Sequence, residues 1–125
     1  MRRLEYHFSC LDGSYFLLCE ISDRVCFTIE TDIEGFESRN GELAEEETAK
    51  FVKLLDEAQI EKWERDYSGS DIEDAISWKL KYVNEDKEYV SKGEETLEPY
   101  EYEKLIEALK LVEKKADYFK AQVNE

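Results

Sequence analysis

Residues 4–29 read LEYHFSCLDGSYFLLCEISDRVCFTI, three apolar-rich runs separated by two clusters of turn-forming residues. In a strand, successive side chains point to opposite faces, so the two connections decide which residues share a face. Asp12-Gly13 suits a two-residue type I′ turn, in which both central residues take positive φ. With that loop, Leu11 faces Ser14 and Cys10 faces Tyr15. One face then collects Leu4, Tyr6, Phe8 and Cys10 with Tyr15, Leu17, Cys19 and Ile21. The other collects Glu5, His7, Ser9 and Leu11 with Ser14, Phe16, Leu18 and Glu20, and a one-residue slip would mix the two sets. At the second connection, a three-residue loop, Ser22-Asp23-Arg24, aligns Ile21 with Val25 and adds Val25, Phe27 and Ile29 to the apolar face. A two-residue loop would put Cys26 and Thr28 there instead. The three-residue loop is therefore expected, and with it a meander.

Outward from the meander, Gly35 and Asn40-Gly41 read as a loop. Leu43 to Ala58 places Ala44, Phe51, Val52, Leu55 and Ala58 at helical spacings, with Glu45, Glu46 and Glu47 where acidic groups complement the macrodipole. The spacing of Ile60 and Trp63 carries this helix to about Trp63, although Trp63, Arg65 and Tyr67 also alternate as a short strand would. Tyr67 to Asp71 is a loop by composition. Ile76, Trp78, Leu80 and Tyr82 then alternate with Ser77, Lys79 and Lys81, a strand with one apolar and one wet face. A turn over Asn84 to Lys87 opposes Tyr82 to Tyr89, and the hairpin ends near Lys92. After a loop from Gly93 to Glu98, Pro99 opens a last helix. Its stripe is Tyr102, Leu105, Leu109, Val112, Ala116, Phe119 and Val123. That stripe packs on the sheet, with a homodimer seam as the sharper alternative. The fold class expected is α+β: a two-layer sandwich of an antiparallel sheet of about five strands and two helices, in the order βββαββα, forming one domain over residues 1–125.

The chain has 125 residues, 42% hydrophobic and 13% aromatic, enough for one core. Its 17 basic against 32 acidic residues leave a charge of −15, which repels phosphate backbones and anionic lipid, so neither direct nucleic-acid nor membrane binding is expected. No run is apolar enough to span a membrane, and the N-terminus lacks a secretory h-region. Three cysteines, Cys10, Cys19 and Cys26, read as reduced, buried thiols of a cytoplasmic protein, with Cys10 and Cys19 too far apart along the ladder for a disulfide.

Few residues suggest chemistry. The single histidine, His7, falls on the face opposite Cys10 and Cys19, so no nucleophile-base pair is indicated, and no zinc ligand set or phosphate loop is present. The segment from Asp66 to Asp74 holds four carboxylates, but Asp71 and Ser77 occupy the positions where a calcium-binding EF-hand loop needs glycine and glutamate. No cofactor and no metal is expected.

Residues 60 to 109 resemble a family of small uncharacterised proteins from Firmicutes and their mobile elements. The resemblance is carried by Trp63, Tyr67, Asp74, Trp78, Tyr82, Gly93, Pro99, Tyr102 and Leu105. Ala75 stands where that family has its turn glycine, and the stretch from Gly93 to Pro99 is longer and more acidic. It implies a bacterial or phage source and a shared fold segment, not an activity. The leading functional expectation is a non-enzymatic interaction module presenting acidic residues to a basic or neutral protein partner. The residues proposed for that surface are Glu45, Glu46 and Glu47, then Asp66, Asp71, Glu73 and Asp74, then Glu94, Glu95 and Glu98. Two alternatives are a nucleic-acid mimic that inhibits a nucleic-acid enzyme, and a ligand-binding or carboxylate-dependent pocket lined by Tyr15, Trp63, Trp78 or Tyr82.

Overall fold

The meander forms as β1 (Arg2–Cys10), β2 (Gly13–Ile21) and β3 (Val25–Thr31). The computed structural model describes residues 2–10, 13–32, 37–67, 77–94 and 101–116, without the side chains of Cys10, Tyr67 and Glu94. The first hairpin departs from the expected register. Cys10 pairs with Gly13 and Leu4 with Cys19, so the connection is residues 11 and 12 rather than Asp12-Gly13. Gly13 instead opens β2 at φ 144°, a backbone angle that favours glycine. The offset is even, so it preserves which side chains share a face. Leu4, Tyr6, Tyr15, Leu17, Cys19 and Ile21 are buried together as expected. At the second connection Ile21 pairs with Val25, and Val25, Phe27 and Ile29 join the same core face. That parity sends Cys26 to the opposite face, where it is exposed, which corrects the expectation of three buried thiols; Cys19 is buried and free.

A fourth strand, β4 (Glu37–Glu42), replaces the loop expected at Asn40-Gly41. Its sequence, ESRNGE, has no apolar residue, and its pairing with β3 is what makes it a strand. Gly41 lies opposite Phe27, and a Cβ there would come within 2.8 Å of the Phe27 ring. Arg39 reaches Glu37 through Nε at 2.8 Å and the Ala116 carbonyl through Nη1 at 2.9 Å.

Helix α1 (Glu45–Ala58) is anchored where the Leu43 N–H donates to the Val25 carbonyl at 2.8 Å and the Val25 N–H donates to Thr48 Oγ1 at 3.1 Å. It stops at Ala58, short of the expected Trp63, because Gln59 adopts φ 52°, ψ 48° and breaks the helical ladder. A 3-10 turn, Ile60–Lys62, follows. The Trp63 indole N–H folds back onto the Ala58 carbonyl at 2.9 Å, so Ile60 and Trp63 meet the core from a turn at spacings a helix would also give.

The chain then adds β5 (Asp66–Tyr67), β6 (Ser77–Asn84) and β7 (Lys87–Glu94). β6 and β7 form the expected hairpin through Glu85 and Asp86, with Tyr82 opposite Tyr89 and their rings stacked at 6.3 Å. The sheet order is β4-β3-β2-β1-β6-β7-β5, antiparallel except for the two-residue β5, which runs parallel to β7. Helix α2 (Tyr102–Lys115) buries Leu105, Ala108, Leu109 and Val112. It lies antiparallel to α1: Lys115 at its end reaches Glu47 at the start of α1, at 3.2 Å, while Tyr102 at its start packs on Trp63. The α+β sandwich is therefore present, with β4 and β5 added to the five expected strands.

Candidate functional site

The structure does not bring together the expected carboxylate clusters that it describes. Glu45 and Glu46 are exposed on the first turn of α1, which is tied to β3. Glu47 is engaged within its own helix end, where its carboxylate accepts the Ala44 N–H at 2.8 Å and lies 3.2 Å from Lys115. That backbone bond first, and the Lys115 ammonium second, hold its carboxyl below the usual glutamate range. Asp66 stands on β5 at the opposite edge of the sheet, 4.0 Å from Lys92. Asp71, Glu73, Asp74, Glu95 and Glu98 lie outside the described residues, as does the side chain of Glu94 at the end of β7.

The aromatic residues expected to line a pocket are core material. Tyr15, Trp78 and Tyr82 are buried, and Trp63 packs against Trp78 and Tyr102 with ring centroids 6.1 and 5.9 Å apart. Their polar atoms are used internally: the Tyr15 hydroxyl donates to Glu113 at 2.9 Å, and the Tyr6 and Tyr102 hydroxyls are 2.7 Å apart.

One depression of about 460 Å³ lies among Arg2, Ile21, Ser22, Asp23, Val52 and Glu85, and another lies on the face of the sheet away from the helices. Strand β1 is central and pairs on one side with β2, on the other with β6. The registers therefore set side chains from distant sequence in rows. One row runs Glu30, Phe16, His7, Lys79, Lys92 and Asp66; the next runs Thr28, Leu18, Glu5, Lys81 and Val90; a third runs Glu42, Cys26, Glu20, Arg3, Val83 and Glu88. The depression on this face, of about 380 Å³, opens among Glu5, His7, Phe16, Lys79, Lys81 and Glu88. Phe16, Leu18, Val83 and Val90 are half-buried, and His7 meets the Phe16 ring at 6.3 Å.

The cations on this face are sorted to one half, while carboxylates stand on both, with Glu5, Glu88 and Asp66 among the cations. Strands β2 to β4 contribute Glu20, Glu30 and Glu42, the last held at 3.0 Å by Arg24 from the adjoining loop. Strands β1, β6 and β7 contribute Arg3, Lys79, Lys81 and Lys92. Three of these four cations touch acidic neighbours: Arg3 with Glu5 at 3.5 Å, Lys81 with Glu88 at 3.8 Å, and Lys92 with Asp66. Glu20, Glu30 and Lys79 make no ion pair among the described residues.

No family model and no curated protein matches the chain. Among the described residues no group of three His, Cys, Asp or Glu is placed to hold a metal ion, and no helix is long and apolar enough to cross a membrane. The separate ingredients of the open face are legible in the sequence, since Phe16, Leu18 and His7 share one parity and Lys79 and Lys81 share another. Their adjacency is not, because it rests on pairing β1 with β6.

Proposed function

We propose that the chain is a non-enzymatic protein–protein interaction module that holds a partner protein on the open face of its sheet. One observation carries this reading: half-buried Phe16 and Leu18 lie at the middle of that face, between carboxylate-bearing and cation-bearing strands, and no described element covers it. An apolar centre with a charged surround is the anatomy of a protein-binding patch. The partner chemistry that fits is a flat protein surface with an apolar middle, basic groups opposite β2 and β3, and acidic groups opposite β1 and β6. This moves the acidic recognition expected from the sequence away from Glu45 to Glu47, which serve α1, and onto Glu20 and Glu30.

The test is affinity capture with the full chain at low and high salt, wild type beside Phe16→Glu, each checked for native circular dichroism. A partner retained by the wild type at low salt, released by high salt and lost with Phe16→Glu supports the reading. Capture that Phe16→Glu leaves unchanged, or no capture at low salt, overturns it.

A further inference from the structure

We propose that the partner on the open face is a second copy of this chain, so that two sheets stack face to face about a two-fold axis running along the strands between β1 and β2. The inference rests on the reading of that face as a protein-binding surface and names its occupant. Such an axis exchanges β2 with β1 and β3 with β6 while keeping each row at its own height, and this is the one in-plane direction that lays the carboxylate half of one copy over the cation half of the other.

The rows show which pairs the exchange makes; it also sets Leu18 opposite Glu5 and Glu42 opposite Glu88, the last two held by Arg24 and Lys81 of their own copies. Glu30 and Lys79 occupy the same row, one on β3 and one on β6. The axis therefore sets Glu30 of each copy opposite Lys79 of the other. In the row that holds Cys26, Glu20 on β2 is exchanged with Arg3 on β1, and Cys26 meets Val83. Among the described residues of this face, the three charged groups that make no ion pair within one copy, Glu20, Glu30 and Lys79, thus gain one between copies. Phe16 and Leu18 lie beside the axis, where an isologous interface concentrates its apolar contact.

Dimensions agree with a stable pair. Six strands about 4.8 Å apart, each roughly seven residues at ~3.3 Å, cover roughly 600 Å² in projection and more in accessible area. A standard interface uses about 800 Å² per partner. Stacked sheets sit ~10 Å apart, a gap that extended Glu and Lys side chains on facing strands can bridge. The exposed Cys26 thiol provides a reporter inside the interface, read by peptide mapping so that labelling at the other cysteines is told apart.

Sedimentation equilibrium of the full chain over a range of concentrations reads the association directly. A monomer–dimer equilibrium is expected, with the Cys26 thiol protected from a maleimide as concentration rises. Lys79→Glu and Glu30→Lys should each weaken the dimer by about tenfold. The double variant Lys79→Glu/Glu30→Lys should restore it, because the axis pairs the two reversed charges again, and circular dichroism confirms that each variant folds. A chain monomeric at every concentration overturns the inference, and so does a dimer indifferent to both single variants, such as one built on the stripe of α2. If the wild type is monomeric but captures another protein through Phe16, the second copy is refuted and the interaction reading stands. If neither association depends on Phe16, both fail.

Discussion

Glu113 is a carboxylate carried into the core, 8% exposed, and the Tyr15 hydroxyl donates to its Oε2 at 2.9 Å across 98 residues of sequence. Burying a carboxylate is costly, so each hydrogen bond that it keeps counts toward stability. Tyr15→Phe keeps the ring and removes the donor. It should lower the urea midpoint with an unchanged slope, by a stability loss of about 1–3 kcal/mol. An unchanged midpoint would show that the hydroxyl contributes nothing. Tyr15 could be assigned to the core face from strand parity alone, but Glu113 could not. It adjoins Val112 on the helical stripe, and only the strand beneath decides that it turns inward rather than out.

At the scale of the element, α1 shows how much of a helix lies in its first turn. Its N-cap is Ala44, which has no side-chain acceptor, so the capping box is half made: the Glu47 carboxylate accepts the Ala44 N–H while the Thr48 N–H goes to the Ala44 carbonyl at 2.8 Å. Because the folded state lowers the Glu47 pKa, through the Ala44 bond first and Lys115 second, its contribution is present above the unfolded glutamate value and fades as pH falls through the folded one. Glu47→Gln should therefore be less stable than wild type at neutral pH, with the difference closing below about pH 4, the usual glutamate range. Chemical denaturation at neutral and acid pH measures this, and a difference constant with pH would refute the charge-based account. The acidic first turn was readable in the sequence, whereas the Lys115 contact was not. Strand β4 is the opposite case. ESRNGE has no alternation to read, since an edge strand is held by its backbone bonds to β3 and by the room Gly41 leaves for Phe27.

For the molecule as a whole, both helices and the core-facing side chains of β1 to β3 and β6 share one buried cluster, from Leu4 to Val112. Trp63 and Trp78 sit where β6, α2 and the turn after α1 meet. Fluorescence of these two residues and far-ultraviolet circular dichroism should therefore follow one coincident unfolding transition. Two separated transitions would mean that the layers fold independently. The local sequence determined the type of β1 to β3, β6, β7 and both helices, and the face each strand residue takes, because parity in a strand and spacing in a helix are properties of neighbouring residues. Those properties survived even the two-residue shift of the first hairpin. Only the tertiary structure decided that β1 lies between β2 and β6, that a polar edge becomes β4, and that Phe16, His7 and Lys79 share a row. Each of these depends on backbone pairing between segments far apart in the chain, whose register no single segment carries in its own pattern.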